Sequence, residues 1–293
     1  MKMNLKTRIW RELLRSLQRN SNTRWVNRVQ DIANAVSRST YNSNYHIDIN
    51  GESRVLELVS KFFDKKVYFD VGANVGHWSM LAAQRCEANS KVFSFEPSIR
   101  TYESLVRNTS TTLPIRCFNV GLSNSSQRME IYFSKTNPEK SSVESHSVKT
   151  LNRKITDYEA ETQYFLSGDE FCEKHSIREI TFLKIDTEGH DYKVLQGFRK
   201  LLDEGGIHVI QFEYNRLNVY TKTLLSDFYE LLNPPVRTPT YCIGRIFPRS
   251  VRFKSYDPLD ENFIDGNFIA VRQSFGDLVN KLKQQVTPFS LNR

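Results

Sequence analysis

The chain has 293 residues, 39% of them hydrophobic, which suits a sizeable α/β core. Its four cysteines are widely spaced and form no CxxC pair, which argues against a zinc site or a disulfide framework. No apolar run approaches the ~20 residues that a membrane span needs, and basic residues interrupt the apolar stretches near the N-terminus, so we predict a cytoplasmic protein without a signal peptide. The net charge of +8 is concentrated in residues 1–40, where nine Lys/Arg face two acidic residues, so the nearly neutral remainder is not expected to bind nucleic acid.

The first of three predicted parts is a basic helical extension over residues 1–64. Apolar residues recur at helical spacing in its first helix, and four arginines project from the opposite side. The apolar set is Leu5, Ile9, Trp10, Leu13, Leu14 and Leu17, and the basic set is Arg8, Arg11, Arg15 and Arg19. Two main interpretations stay open: packing on the core or on a second subunit of a homo-oligomer, or peripheral contact of residues 1–20 with an anionic membrane. RNA binding is a third, disfavoured because few aromatic residues beyond Trp10 and Trp25 alternate with the basic ones. Lys2 and Lys6 fall inside the apolar sector, which favours packing.

The second part, residues 65–273, alternates strand-like and helix-like segments, which predicts a parallel, doubly wound, Rossmann-like α/β sheet. Strands are predicted over residues 67–71, 91–95, 115–120, 182–186, 207–212, 241–247 and 263–271, and helices over 77–86, 98–108, 192–202 and 223–232. Residues 121–170 interrupt this order with polar loops around a strand at 129–133, an insertion that is a candidate for substrate contacts. A short helical tail is predicted over residues 274–293.

A glycine-containing loop, Asp-Val-Gly-Ala-Asn-Val-Gly over residues 70–76, follows the first predicted strand. Its GxxxG spacing does not match the GxGxxG pattern of dinucleotide-binding loops. The next predicted strand ends at Glu96, where an acidic side chain can accept hydrogen bonds from both ribose hydroxyls. This combination predicts a nucleoside ligand without a pyrophosphate, namely S-adenosylmethionine (SAM).

Several motifs together resemble the FkbM family of SAM-dependent methyltransferases. They are Phe69-Asp-Val-Gly-Ala-Asn-Val-Gly76, Phe95-Glu-Pro97, Gly168-Asp-Glu-Phe171, Phe182-Leu-Lys-Ile-Asp-Thr-Glu-Gly189 and Gln211-Phe-Glu213. The resemblance spans residues 50–272. It implies the class I SAM methyltransferase fold and, in most members, O-methylation of sugars, lipids or natural products, so the acceptor stays open.

Carried over by position, the resemblance also implies a set of cofactor-binding residues. Asp70, Gly72, Asn74 and Gly76 would line the methionine and ribose parts of SAM, Glu96 would hold the ribose, and Asn119 and Gly121 would border the adenine.

Acidic residues follow the fourth and fifth predicted strands of the core, at the crevice where parallel strands end. Asp186, Glu188 and Glu213 are therefore the predicted catalytic residues, since a hydroxyl acceptor needs a general base. Each has a structural alternative: Asp186 could orient the SAM amino group, Glu188 could cap the next helix, and Glu213 could pair with Lys184. His190 is expected at the surface.

The sequence thus predicts a SAM-dependent O-methyltransferase that acts on a sugar hydroxyl of a glycan, a glycolipid or a related small molecule. Two alternatives remain, an N-methyltransferase of protein or nucleic acid and a SAM-binding module without catalysis. No metal is expected, because the sequence gives no ligand geometry for one.

Overall fold

The computed structural model describes residues 5–87, 89–111, 114–134, 141–142, 158–235 and 240–285. The chain divides into two compact units, Met1–Ser43 and Asn44–Arg293. The first unit contains helices α1 (Leu5–Arg19) and α2 (Arg24–Thr40). Within the described residues, no helix is both long and apolar enough to cross a bilayer.

The second unit is an α/β fold. Its strands are β1 (Val67–Val71), β2 (Lys91–Phe95), β3 (Ile115–Phe118), β4 (Gly121–Ser123), β5 (Gln127–Ser134), β6 (Ser141–Ser142), β7 (Tyr158–Ser167), β8 (Ile180–Ile185), β9 (Ile207–Tyr214), β10 (Tyr241–Phe247), β11 (Ser250–Phe253) and β12 (Gly266–Arg272). Its helices are α3 (Glu52–Phe62), α4 (His77–Ala83), α5 (Ile99–Thr109), α6 (Gly168–Lys174), α7 (Asp191–Gln196), α8 (Arg199–Asp203), α9 (Asn218–Thr221), α10 (Leu225–Leu232) and α11 (Gly276–Lys283), with 3-10 turns at Pro258–Asp260 and Gln273–Phe275.

The central sheet has the strand order β11-β10-β12-β9-β8-β1-β2-β3. Strands β3, β2, β1, β8 and β9 are parallel, and β12 and β10 then add antiparallel partners. The chain runs outward from β1 to β3 and returns to place β8 on the other side of β1. The strand order therefore reverses between β1 and β8, which is where open α/β sheets bind their ligands.

Successive residues of the parallel strands enter two different hydrophobic clusters. Tyr68 and Phe182 pack on one side of the sheet with α3, α4 and α11, whereas Phe69 and Leu183 pack on the other side with α6, α7, α8 and α10. Side chains of a strand alternate between faces, so burial of both sets requires helices on both sides. The prediction of a doubly wound sheet is confirmed.

Helix α3 belongs to the core, although the sequence analysis placed the end of the extension at residue 64. Its residues Val55, Leu56 and Val59 are almost fully buried against the sheet, so the chain divides at residues 43 and 44 instead. The described part of the predicted tail, α11, packs in the same cluster. The apolar faces of these two helices close one side of the sheet.

The helix predicted over residues 192–202 is two short helices, α7 and α8, with Gly197 between them. A Cβ atom at Gly197 would lie 2.0 Å from the backbone oxygen of Ser123 in β4. The chain bends where that strand approaches it, so the single-helix prediction is wrong in this detail.

The predicted insertion contains a second sheet with strand order β4-β7-β5-β6. The predicted strand at 129–133 lies within β5, which pairs antiparallel with β7. Residues 135–140 and 143–157 of the insertion lie outside the described residues. Arg100 of α5 forms a 3.0 Å ion pair with Glu159 of β7, and the Ile99 N–H donates to Glu161 at 3.1 Å, so the second sheet is attached to the start of α5.

The division at residue 44 makes a truncation prediction. A chain that begins at Asn44 should fold with nearly the melting temperature of the full chain, because it keeps α3. A chain that begins at Lys65 loses the burial of Val55, Leu56 and Val59, roughly 5–9 kcal/mol at ~1.5–3 kcal/mol per side chain. This approaches the ~5–15 kcal/mol stability of a typical domain. Calorimetry would compare the melting temperatures of the two truncated chains. Equal melting temperatures would contradict the assignment of α3 to the core.

Candidate functional site

A cavity of about 320 Å³ opens at the carboxyl ends of β1, β2 and β8. The loops that follow these strands contribute Gly72, Glu96 and Asp186 to its lining. The second sheet contributes Leu122, Ile131 and Phe165, and α3 contributes Glu52, which are among the other lining residues. The cavity therefore lies at the point where the strand order reverses.

The loop after β1 adopts a backbone conformation that favours glycine. Gly72, Asn74 and Gly76 have φ angles of 77°, 50° and 93°, in the left-handed region. The Gly72 N–H donates to the Phe95 oxygen at 3.0 Å, and a Cβ atom at Gly72 would lie only 1.9 Å from the Asp186 oxygen. The loop thus contacts the ends of both neighbouring strands. Gly72 and Asn74 line the cavity, whereas Gly76 is the N-cap residue that precedes α4.

Glu96 is buried at the end of β2 and lines the cavity. Its Oε2 accepts from the Asn74 N–H at 3.0 Å, and its Oε1 accepts from the Ser98 N–H at 2.9 Å. Burial raises the pKa of this carboxyl to about 7, although the two N–H donors oppose the rise. Each oxygen keeps acceptor capacity, so the carboxylate fits a ligand that presents two hydroxyls, such as a ribose.

Two further cofactor candidates have different surroundings. The Asn119 amide donates to the backbone oxygens of Glu96 and Pro97 at 3.0 and 2.9 Å, so this side chain positions the turn that follows β2. Gly121 lines the cavity at the place where the Phe165 ring packs on the backbone; a Cβ there would lie 2.1 Å from the ring. Contact of either residue with adenine stays a prediction.

Asp70 lies below the cavity in the interior. It is fully buried, and its Oδ2 accepts from the Ser79 hydroxyl at 2.6 Å. Its Oδ1 lies 3.1 Å from the Lys184 ammonium, which also lies 3.4 Å from Asp186. Burial would lower the pKa of Lys184, but the carboxylates of Asp70, Asp186 and Glu52 raise it above its ordinary value. Lys184 is therefore a permanent cation that joins the ends of β1 and β8.

The predicted catalytic residues separate into two groups. Asp186 and Glu188 line the cavity, and the Asp186 side chain is 45% exposed. Glu213 lies beyond the lining residues, and its Oε2 accepts from the Asn215 amide at 2.7 Å. Burial and the nearby carboxylates of Asp186, Glu188, Asp191 and Asp265 raise the pKa of Glu213 well above its ordinary value.

Asp191, which the sequence analysis did not select, connects the end of β8 to the end of β9. Its Oδ2 accepts from the N–H and hydroxyl of Thr187 at 3.1 and 2.7 Å, and its Oδ1 accepts from the Glu213 N–H at 3.0 Å. Burial raises the pKa of Asp191 to about 6, against the effect of these donors. Its position five residues beyond Asp186, in the first turn of the next helix, was the signal available in the sequence.

Glu52 is a second site residue that sequence reasoning missed. It lines the cavity from α3, and three amides hold its carboxylate: Asn50, Gln211 at 2.6 Å and Asn267 at 2.9 Å. Burial raises the pKa of this carboxyl, while the Lys184 ammonium opposes the rise. Glu52, Asp186 and Glu188, which we call the acidic wall, lie on the β8–β9 side of the cavity, across β1 from Glu96.

His190 is buried, so the prediction that it lies at the surface is wrong. Its Nε2 lies 2.9 Å from the Ser123 hydroxyl, and its ring packs near Phe165 at a centroid distance of 6.2 Å. Burial lowers the pKa of His190 to about 3, so the imidazole is neutral at physiological pH. It connects the loop after β8 to the second sheet.

No group of three or more His, Cys, Asp or Glu residues with metal-binding geometry occurs in the part of the chain that the structure describes.

The close approach at Gly72 makes a stability prediction. Gly72→Ala should lower the free energy of unfolding by ~1–3 kcal/mol, because alanine is strained at this φ and its Cβ would collide with the Asp186 carbonyl. Gly276→Ala is the matched control, since no atom lies within 4 Å of the added Cβ in α11. Denaturant unfolding should leave that control as stable as the wild type. Equal midpoints for both variants would refute the steric argument.

Comparison with known proteins identifies the family. The Methyltransferase FkbM domain matches residues 70–233, more than half of the chain. Hexuronic acid methyltransferase AglP of Haloferax volcanii is 28% identical over 169 residues, which are 56% of this chain and 63% of that protein. The match thus spans less than two thirds of this relative.

Solved structures with a similar arrangement include two methyltransferases. The O-methyltransferase from Bacillus cereus in complex with SAH is 12% identical, with 81% of this chain and 87% of that chain covered and a TM-score of 0.42. Magnesium protoporphyrin IX methyltransferase from Synechocystis with bound SAM is also 12% identical, with coverages of 75% and 77% and a TM-score of 0.38. On the domain match over residues 70–233, the chain belongs to the FkbM family of methyltransferases, whose cofactor is SAM.

Proposed function

We propose that this protein is a SAM-dependent O-methyltransferase that methylates a hydroxyl of a sugar. One observation above all supports the proposal: a single cavity has a ribose-type carboxylate, Glu96, on one side of β1 and the acidic wall on the other. The first side suits a nucleoside, and the second suits an acceptor that must lose a proton. A module that only bound SAM would have little use for the acidic wall.

On the cofactor side, Glu96 would accept the two ribose hydroxyls, and the loop at Gly72 and Asn74 would lie against the ligand. Leu122, Ile131 and Phe165 give the cavity an apolar boundary, which suits a flat base. Bound SAM supplies an activated methyl group, so the protein's task is to align the acceptor oxygen and remove its proton.

On the acceptor side, we assign the proton-accepting role to Asp186. Its side chain lines the cavity, and the Lys184 ammonium, 3.4 Å from the Asp186 carboxylate, holds that carboxylate in place. Glu213, with its raised pKa and its position beyond the lining, is the weaker candidate for contact with the acceptor. Glu188 lines the same wall and would contact the acceptor beside Asp186.

The acceptor class follows from the chemistry of this wall. Carboxylates accept hydrogen bonds from hydroxyls, and sugars present several hydroxyls in fixed directions. AglP is named for a hexuronic acid, and an acidic sugar could bind here only with its carboxylate directed away from Glu52, Asp186 and Glu188, since like charges repel. We therefore favour a neutral sugar or a uronic acid in that orientation.

The raised pKa of Glu96 predicts pH-dependent cofactor binding. Ribose hydroxyls would donate to the ionised carboxylate, so bound cofactor lowers this pKa, and affinity falls as the pH drops through about 7. Titration calorimetry should give a Kd for SAM that is up to about tenfold weaker near pH ~6 than near pH ~8. Glu96→Gln should bind more weakly at both pH values and lose this dependence. A wild-type affinity that does not change with pH would contradict the assignment.

Amide substitutions test the assignment of the base. Asp186→Asn should lower the methylation rate by ~10²–10⁴-fold while SAM affinity changes little, because the amide keeps the shape but cannot accept the proton. Glu213→Gln is the matched comparison and should lose less than about tenfold. If the Glu213 variant shows the larger loss, the roles are reversed. If Asp186→Asn loses SAM affinity in parallel with activity, Asp186 belongs to the cofactor site.

Acceptor identity can be tested with isotopically labelled SAM and a panel of sugars. p-Nitrophenyl glucoside and p-nitrophenyl glucuronide differ only at C6, a hydroxymethyl group in the first and a carboxylate in the second, and would separate a neutral from an acidic acceptor. Transfer of label to a sugar oxygen, located by mass spectrometry, is the expected result. Label found only on protein or nucleic acid nitrogen would overturn the proposal.

A further inference from the structure

The helices of the first unit present large apolar side chains to solvent. In α1, the exposed residues are Ile9, Trp10, Leu13 and Leu14, between 41% and 62% exposed. In α2, which has no buried residue, they are Trp25, Val29, Ile32 and Val36, between 45% and 65% exposed. At 100° per residue, each set occupies a single side of its helix. Two helices of ~22 and ~26 Å length therefore each present a continuous apolar stripe.

Outside the apolar stripes, both helices contain arginines, and we call these surfaces their basic sides. Residues 5–40 contain eight Lys/Arg and two acidic residues, a net charge of +6. In α1, arginines at 8, 11, 15 and 19 fall about 180° from the apolar stripe. In α2, Arg24 and Arg28 flank one edge of the stripe, about 110° and 70° from its centre, and Arg38 lies about 150° from it. Among the described residues, Arg15 forms an ion pair with Glu12 at 2.7 Å, and the other arginines of α1 and α2 form none. The arginines are therefore largely available to an anionic partner.

The positive charge and the apolar stripes of α1 and α2 together decide which kind of partner these helices can bind. A second copy of this unit would have the same net charge, +7 over residues 1–43, so close pairing would be opposed by repulsion. A nucleic acid would neutralise the arginines through its phosphates but would leave the two apolar stripes in water. An anionic bilayer surface satisfies both features, because the stripes enter the acyl boundary while the basic sides stay among the headgroups. Trp10 and Trp25 suit this interface, where one end of the ring meets hydrocarbon and the other meets water.

We propose that α1 and α2 form a peripheral membrane-binding element that docks on anionic lipid headgroups. The second helix extends the surface well beyond residues 1–20. This proposal is independent of the proposed methyl transfer, since it uses no residue of the cavity.

The test is co-sedimentation of the full-length protein with vesicles. Phosphatidylcholine vesicles that contain ~30 mol% phosphatidylglycerol should bind the protein, and pure phosphatidylcholine vesicles should bind at least about tenfold less. Raising the salt concentration should weaken binding to the anionic vesicles, because screening reduces the attraction of the arginines.

Two matched variants test the apolar stripes. The double variant Ile9→Asp with Ile32→Asp should reduce binding to anionic vesicles by at least about tenfold, because it places one carboxylate in each stripe. Leu259→Asp, at a residue that is 85% exposed outside this unit, should bind like the wild type. The altered residues are exposed, so all three proteins should share one melting temperature and one SAM affinity.

Four results would overturn the proposal. The wild type and the double variant could bind anionic vesicles equally well, or the wild type could bind neither kind of vesicle. Light scattering could also show a wild-type oligomer that the double variant lacks without vesicles present, which would assign the stripes to a second copy. If the wild type binds single-stranded RNA more tightly than vesicles and the double variant keeps that affinity, the basic sides serve nucleic acid instead.

Discussion

A buried cation at the point where the strand order reverses is the constraint on which the site depends. Lys184 lies between Asp70 and Asp186, with all three side chains at the carboxyl ends of β1 and β8. Removal of one member from a buried charge group typically costs ~3–5 kcal/mol, because an uncompensated charge remains. A buried charge group is nevertheless weak evidence for a net gain in folding stability, because apolar side chains of similar volume in the same place often stabilise a fold equally well. Its clearer effect is positional, because it fixes the two strand ends between which the cavity opens.

The same cation organises the charges around the cavity. Glu96, Glu52 and Asp186 all line one space, and three carboxylates in a half-buried site would repel each other. Lys184 opposes the rise in the pKa of both Glu52 and Glu96. Backbone and amide donors oppose it as well, through Asn74 at Glu96 and Gln211 at Glu52. The site therefore holds several carboxylates around one cavity, with the Lys184 ammonium and nearby N–H donors reducing their mutual repulsion.

The sequence predicted the elements whose signals are local. Strands β1 and β2 have the predicted bounds, because each is a short apolar run that ends at a turn signal or charged residue. The loop at Gly72 and the acidic residue Glu96 could also be predicted, because each comes directly after the end of a predicted strand. Long-range contacts decided the rest. Gly197 divides a helical pattern because Ser123 approaches it, and His190 is buried because Ser123 and Phe165 cover it. Neither neighbour is near in sequence.

Glu52 is the clearest case of this limit, and it bears on how acceptor choice is built into the chain. Its partner Gln211 is 159 positions away, so no local pattern could place the two together. The family match covers residues 70–233, which include Glu96, Asp186 and Gln211 but leave out Glu52, Asn50 and Asn267. The side of the cavity that we propose for the cofactor thus lies within the segment that matches the family, whereas Glu52 of the acidic wall and its partner Asn267 come from α3 and β12 outside it. Because β12 and α3 are joined through the Glu52 carboxylate, a change in either element alters the space beside Asp186 without touching Glu96. If the acidic wall contacts the acceptor as we propose, such a fold can change its acceptor while it keeps its cofactor.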